Sequence, residues 1–568
     1  MTGALTYQQQ SILMMASFDV AGKDALACTS SQRDDQPKSQ NTSLKRKTTK
    51  PKTRKVKKAR VNSVNYTVHE GEDMLLVIPH STSGYDGSDW VPKKKKRGTK
   101  KVTTKGTGKR STSVKKRKPT IRTSAVKQKE QELLTPSFVS TEPNDHRWGQ
   151  NLPEEILVNI FKMVVLQDGA VPFLCRMARV CRLWNAAAAT PSLWRRVSVG
   201  HCLIAPAKSQ LPATQNRIKD TINWLAQNRF SQLRDFSLHH WKTNVDYAVD
   251  VVSQFCPQLN TLKLSYCTGL TEATFQSLGQ HSHLLRNLNV LYTEAEGLPN
   301  YLDSHGAQMQ QLWFTHGQKT HRILTAILKS CPNLELLEIN TMLDRKIGEV
   351  RICVQALQKA CPKLKTFRML NVSPMHKNMQ VWDSPGSQTG FPLLEELCIA
   401  TASHSYMNDK HLQDILFDSP HLRVLDLRGC SAVTSACLVA LPCLDLECLF
   451  WGQHFNSDMV TFRQNRGIDS VTQKWKHTLR QLDLANQLFS EAELEVAMGH
   501  LAQANSADTL RSLNLSGTRI TPAALRPLIG QTTALDYLNL SSCRYLPRGL
   551  KRIYRGQEDI RQLLDKLE

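Results

Sequence analysis

The stretch "LRVLDLRGCSAVT" (Leu422–Thr434) sets the reading of most of the chain. Leu422, Leu425 and Leu427 make an L-x-x-L-x-L hexapeptide, and the alternation of Leu425 and Leu427 about Asp426 is the two-residue period of a short strand with one covered face. Thr434 then offers a hydroxyl to open a helix. A strand, a turn and a helix start within some thirteen residues cannot cover their own leucines, so neighbouring units must.

The neighbours are present. Hexapeptides of the same form, with other apolar residues allowed, start at Leu233, Leu259, Leu285, Met309, Leu334, Leu364, Leu394, Leu422, Leu446, Leu479, Leu510 and Leu535, a mean step of about 27 residues. "LNTLKLSYCTGLT", "LRSLNLSGTRIT" and "LDYLNLSSCRYLP" are the clearest other copies. Ser490 with Glu493 forms a capping-box pattern, and Thr521-Pro522 puts proline in a first helical turn. Stacked units of this kind predict a curved solenoid, with parallel strands on the concave face and helices on the convex one. The units from Met309 to Leu364 are degenerate, and Asn371–Gly390 reads as a loop inserted on one rim. "NRIKDTINWLAQNRF" (Asn216–Phe230) reads as the first solenoid helix, and "GQEDIRQLLDKLE" as a polar-faced cap on the last unit.

Composition separates a second region. The chain has 568 residues and a formal net charge of +25, from 74 basic and 49 acidic side chains. Lys45–Arg60 holds 10 of the basic residues and Lys93–Lys118 holds 14, with no acid in either, so the rest of the chain is nearly neutral. Residues 1–145 are too polar to offset chain entropy and are expected to be disordered. The apolar island "EDMLLVIP" (Glu72–Pro79) reads as a stray run within them. The 15 cysteines lie mostly in the repeats, several before proline, and read as reduced, small apolar packing groups. No apolar run is long enough to span a membrane, and the first twenty residues do not read as a secretory signal.

Between the two regions stands "NLPEEILVNIFKMV" (Asn151–Val164), whose apolar residues recur at helical spacing. It continues as "PFLCRMARVCRLWNAAAATPSLWRRV". Leu152-Pro153, Glu155-Ile156-Leu157, Ile160-Phe161, Val180-Cys181-Arg182, Trp184 and Leu193-Trp194 together resemble the F-box over about 46 residues. An F-box before cysteine-type leucine-rich repeats resembles the F-box and leucine-rich-repeat family. The resemblance implies a substrate receptor that docks on the Skp1 adaptor of a cullin-RING ubiquitin ligase and holds an unknown protein for ubiquitination. It assigns Leu152, Pro153, Ile156, Leu157, Ile160, Phe161, Val180 and Cys181 to the Skp1 face, with Leu152 and Pro153 foremost. Trp184 and Trp194 read as internal packing. "VVLQDGAVPF" departs from the family pattern as an insert after the first helix.

The expected architecture is therefore α/β. A disordered basic tail (1–145) precedes a small helical F-box (146–200), a linker with the first solenoid helix (201–232), the repeats (233–545) and a cap (546–568). Within each hexapeptide the residue between the last two apolar positions faces out from the concave sheet. This row nominates Trp313, Arg368, Asp426, Phe450 and Asp483 for substrate contact, the two aromatics as anchors. A one-residue shift of the degenerate Met309 unit would instead turn Trp313 into the core.

No catalytic set is expected. "KGTGKRST" (Lys105–Thr112) lacks the upstream glycine of a phosphate loop, and has Arg110 where a magnesium-binding hydroxyl belongs. The cysteines and histidines do not pair at zinc-ligand spacing, and no cysteine has a setting that would form thiolate. No cofactor or metal is expected, and ubiquitin transfer belongs to other subunits. Lys45, Arg46, Lys47 and Lys93, Lys94, Lys95, Lys96, Arg97 read as nuclear-import signals, with nucleolar retention or a share in the cytoplasm also compatible. Runs of this kind without aromatics bind nucleic acid only non-specifically. The competing classes are a repeat scaffold outside a ligase and a basic-tail nucleic-acid-associated protein.

Overall fold

The computed structural model describes residues 66–71, 74–79 and 152–567, apart from 201–211, 342–347, 371, 377–389, 402–404, 406, 454–465 and 504–508. The import signals Lys45–Lys47 and Lys93–Arg97, and the rest of the expected tail, lie outside the described residues. One part of the tail is described: β1 (Tyr66–Gly71) pairs antiparallel with β2 (Met74–Pro79). This hairpin departs from the disorder expected there. Its cause is local, since "YTVHEG" and "MLLVIP" are rich in the β-branched residues that favour extended chain.

The helical region begins with α1 (Glu154–Asp168), with Pro153 in the flanking cap position and Glu154 and Glu155 in the first turn, where acids suit the helix dipole. It is followed by α2 (Phe173–Met177), α3 (Arg182–Ala189) and a 3-10 turn at Pro191–Trp194. The first half of the expected insert is the end of α1, which stays helical to Asp168 and stops at Gly169, whose φ of 86° suits glycine. The long α4 (Pro212–Asn228) is the expected first solenoid helix.

The repeats build one sheet. Its strands are β3 (Arg196–Val199), β4 (Asp235–His239), β5 (Thr261–Ser265), β6 (Asn287–Val290), β7 (Gln311–Thr315) and β8 (Leu336–Asn340). Next come β10 (Thr366–Leu370), β12 (Glu396–Cys398), β13 (Val424–Asp426), β14 (Cys448–Phe450), β15 (Gln481–Asp483), β16 (Ser512–Asn514), β17 (Tyr537–Asn539) and β18 (Ile553–Arg555). They lie side by side in chain order and are parallel throughout, except that β18 turns back antiparallel on β17. Each of the twelve hexapeptides supplies one strand, including the degenerate ones. β9 (Gly348–Ile352) and β11 (Val372–His376) form a separate parallel pair, so the expected rim loop begins as a strand; residues 377–389 lie outside the described residues.

The register explains the core. Leu262, Leu288, Leu312, Leu337, Phe367, Leu397, Leu425, Leu449, Leu482, Leu513 and Leu538 are cross-strand partners, all buried under the convex helices. The helices cover them with apolar stripes such as Val245, Ala248, Val249 and Val252 of Val245–Phe255. Helices pack about 10 Å apart and strands about 4.8 Å, so stacking bends the solenoid with the sheet on its inner side. The caps read from the sequence are formed: Ser490 and Glu493 make a capping box, and the Thr521 hydroxyl accepts from the Ala524 amide at 3.3 Å. The last helix, Gln557–Leu564, closes the end with Ile560 and Leu563 buried.

Candidate functional site

Two surfaces present chemistry. The first is on α1. Leu157 and Phe161 face inward at 1% exposure, where the Phe161 ring meets Phe173 edge-on at 5.5 Å and Trp184 at 5.4 Å. Trp194 is buried, and its indole N–H donates to the Ala188 carbonyl at 2.8 Å. Leu157 and Phe161 therefore hold the domain together and do not face a partner, which corrects their assignment. An α-helix turns about 100° per residue, so each apolar doublet, Ile156-Leu157 and Ile160-Phe161, must divide between two faces.

The outward face is apolar as well. Ile156 is 47% exposed, Ile160 41%, Met163 69% and Leu166 69%; Val180, just before α3, is 57% exposed. Ile156, Ile160 and Met163 recur at i, i+4 and i+7, forming a stripe on the solvent side. Pro153 is exposed, while Leu152 and Cys181 are half-buried. Next to Val180 lies an open depression of about 400 Å³ lined by Ala178, Arg179, Cys181, Arg182, Asn185 and Ala186. Met163 and Leu166 were missed in the sequence because apolar residues fall on two sides of this helix, and spacing alone does not reveal which side is covered.

The second surface is the concave sheet. Asn289, Trp313, Glu338, Arg368, Cys398, Asp426, Phe450, Asp483, Asn514 and Asn539 are partners in one continuous row across β6 to β17. Trp313 is in the outward register between buried Leu312 and Phe314, so the degenerate unit is not shifted. Its cross-strand partner is Glu338, whose carboxyl burial pushes above the usual range against the opposing pull of Arg368. Arg368 grips Glu396 through Nε at 2.6 Å and Nη2 at 3.0 Å, and Glu338 through Nη1 at 3.3 Å. A hydrogen-bonded chain thus crosses three strands, β8, β10 and β12.

Farther along, the Arg428 guanidinium binds Asp426 with both arms, at 2.9 and 2.6 Å, and lies over the Phe450 ring at 5.3 Å. Asp426 is 1% exposed and occupied by Arg428. It orients Arg428 and does not itself reach outward, a correction to its expected role; Arg368, 12% exposed, is likewise engaged by its two glutamates. Burial pushes Asp483 up in pKa, opposed by Arg428. Trp313 and Phe450 remain half-buried.

A third feature escaped the sequence reading. Four residues beyond the middle apolar position of its hexapeptide, the chain turns with positive φ at His240, Tyr266, Tyr292, Gly429, Asn486, Gly517 and Ser542. At the first three the rings stack, His240 on Tyr266 at 4.5 Å and Tyr266 on Tyr292 at 4.3 Å. The aromatic before Cys267 in "SYCTG" and its counterpart in "LYTEA" were the available signal.

All described cysteines are free thiols, most of them buried. Burial pushes Cys256, Cys331, Cys361 and Cys430 up to about 12. Among the described residues no group of three or more His, Cys, Asp or Glu could hold a metal ion, and no helix is long and apolar enough to cross a membrane.

A small helical domain with an uncovered apolar face, fused to a leucine-rich-repeat solenoid, is the class of architecture these surfaces define. The family model for F-box-like domains matches residues 150–199. A chain in the crystal structure of the Rad7 and Elc1 complex in yeast is similar over 75% of this chain and 88% of its own, at 13% identity and a TM-score of 0.38. The chain thus combines an F-box-like region with leucine-rich repeats.

Proposed function

We propose that this chain is the substrate-recognition subunit of an SCF-type (Skp1–cullin–F-box) E3 ubiquitin ligase, delivering a bound protein for proteasomal degradation. The F-box-like domain docks on Skp1, and through it on a cullin-RING core. The concave sheet holds the protein to be ubiquitinated. The observation that carries this reading is the α1 stripe Ile156, Ile160, Met163 and Leu166, exposed, with Val180 also exposed, on a region that matches F-box-like domains. Contiguous apolar groups left in water mark a surface that a partner covers. Leu152 and Pro153 adjoin it at the start of α1, and the inward Leu157 and Phe161 support it from behind.

The role is non-catalytic. Thiols held at about 12 carry almost no thiolate at neutral pH, so Cys256, Cys331, Cys361 and Cys430 are unsuited to accept ubiquitin. Co-purification tests the docking: Skp1 and a cullin should come down with the full chain, and Ile156→Asp with Ile160→Asp should release both without lowering the melting temperature. Retention of Skp1 by that double variant sinks the reading.

The ligase acts in the nucleus in this proposal, imported through Lys45–Lys47 and Lys93–Arg97. Alanine at those eight positions should shift a fluorescent fusion to the cytoplasm; an unchanged nuclear signal contradicts import.

A further inference from the structure

Outside the two lysine-rich runs, charge is still unevenly placed. Residues 169–234, between the end of α1 and the start of β4, hold ten basic side chains and a single acid, Asp220. Eight of those ten are arginine, whereas 18 of the 24 basic residues in the two runs are lysine. A planar guanidinium offers paired donors that fit a phosphate or carboxylate, which the point charge of an ammonium does not. The tail supplies charge, and this segment supplies geometry as well.

The fold gathers these arginines at the join between the helical domain and the solenoid. Arg176 lies in α2, Arg179 in the link to α3, and Arg182 at the first position of α3; all three are exposed. Arg179 and Arg182 line the open depression of about 400 Å³. Burial pushes the Cys175 thiol up in pKa and the charges of Arg179 and Arg229 both oppose it, which places the end of α4 beside this link. Arg234 follows, exposed, with its amide donating to the Arg195 carbonyl at 2.9 Å. Arg196 is paired with Asp235 at 3.0 Å, but among the described residues Arg176, Arg179, Arg182, Arg229 and Arg234 form no ion pair.

An aromatic side chain stands at the same place. Trp224 of α4 is 51% exposed, and the Arg229 guanidinium lies over its ring at 5.1 Å from the centroid. Lys219, on the same helix, lies over the Tyr247 ring at 5.2 Å. Cations backing a ring that is half in water, beside unpaired guanidiniums, supply both parts of a surface for single-stranded nucleic acid: the charges follow the phosphates and the ring stacks a base. The two tail runs contain no aromatic residue and have only the first part.

We propose that the basic join, from Arg179 and Arg182 through Arg229 to Arg234, binds single-stranded nucleic acid with a base stacked on Trp224. The ring decides between the anions that fit arginine. An acidic peptide would satisfy the guanidiniums and leave the indole without a planar partner, whereas every nucleotide brings a phosphate and a base together. Such binding needs neither Skp1 nor a protein on the concave sheet.

Ultraviolet crosslinking of the full chain to a uridine-rich RNA of about fifteen nucleotides, at near-physiological salt, tests this site by site, with mass spectrometry locating the nucleotide adducts. An adduct on Trp224 is expected, distinct from any on the tail. Arg179→Gln with Arg229→Gln should lower its yield at least about fivefold, and Arg179→Lys with Arg234→Lys, which keeps the charge, should still lower it several-fold. Arg322→Gln, exposed on the distant helix Thr320–Ser330, should leave it unchanged. If Arg229→Gln lowers the melting temperature, Arg179→Gln with Arg234→Gln, both on exposed side chains, should give the same loss. Adducts confined to the tail, or an undiminished Trp224 adduct in the glutamine variants, overturn the proposal. Loss of the Trp224 adduct on adding an equal concentration of an alternating Glu-Ser nonapeptide also overturns it, and makes an acidic protein segment the occupant.

Discussion

Tyr266 and Gly517 occupy the same place in their repeats, and both have positive φ, 57° and 72°. For an L-residue with a Cβ this conformation costs roughly 1–2 kcal/mol. At Tyr266 the stacks on His240 and Tyr292 offset it, each such pair contributing about 0.5–1.5 kcal/mol. Gly517 has no such compensation: a Cβ there would run into Asn486 Oδ1. Gly517→Ala is therefore expected to destabilise the C-terminal repeats by about 1–3 kcal/mol or more, read as a lower melting temperature of the full chain. An unchanged melt would contradict this account of the turn. The leucines and the residues between them were legible in the sequence, because alternation alone fixes which side a strand residue faces. The turn was not legible: the same φ is met by glycine in some repeats and by tyrosine in others, so no single residue type marks it.

At the scale of elements, α1 shows where a pattern becomes ambiguous. The helix and its place in a small helical domain followed from apolar spacing, but Ile156-Leu157 and Ile160-Phe161 gave no indication of which member of each pair is covered. Only packing decides this: Phe161 is enclosed by Phe173 and Trp184, and Met163 by nothing within the domain that removes it from water. Phe161→Ala should cost about 3–5 kcal/mol through the cavity it leaves, whereas Met163→Ala should stay within about 0.5 kcal/mol. Thermal melts or proteolysis of the full chain compare the two; equal effects would place the inner and outer faces wrongly. The degenerate Met309 unit shows the opposite outcome. Its hexapeptide keeps Leu312 and Phe314 inward, so the outward register, and with it Trp313, could be read from alternation despite the weak motif.

Across the whole molecule, the helical domain and the concave face are parts of one continuous framework. Trp194 packs against Phe230 at 5.9 Å, and the chain then enters the sheet as β3, paired with β4. The solenoid therefore begins at Arg196, inside the segment the sequence assigned to the helical domain. In the proposed function, this join sets a fixed geometry between the adaptor-binding face and the concave sheet. The long-range order was legible because each repeat contacts its neighbours, which makes chain order into spatial order. The ion-pair chain from Glu338 through Arg368 to Glu396 was not, since it depends on which side chains meet across strands.

The claim that most depends on this arrangement is that the exposed stripe of α1 is the adaptor surface. Titration calorimetry of the full chain with purified Skp1 tests it directly, comparing wild type with Ile160→Asp and with Trp313→Ala on the opposite functional surface. The expected result is tight binding by wild type and Trp313→Ala and at least about a hundredfold loss for Ile160→Asp, roughly 2.7 kcal/mol or more, with all three melting alike. Wild-type affinity in Ile160→Asp, or no binding by the wild-type chain, would contradict it.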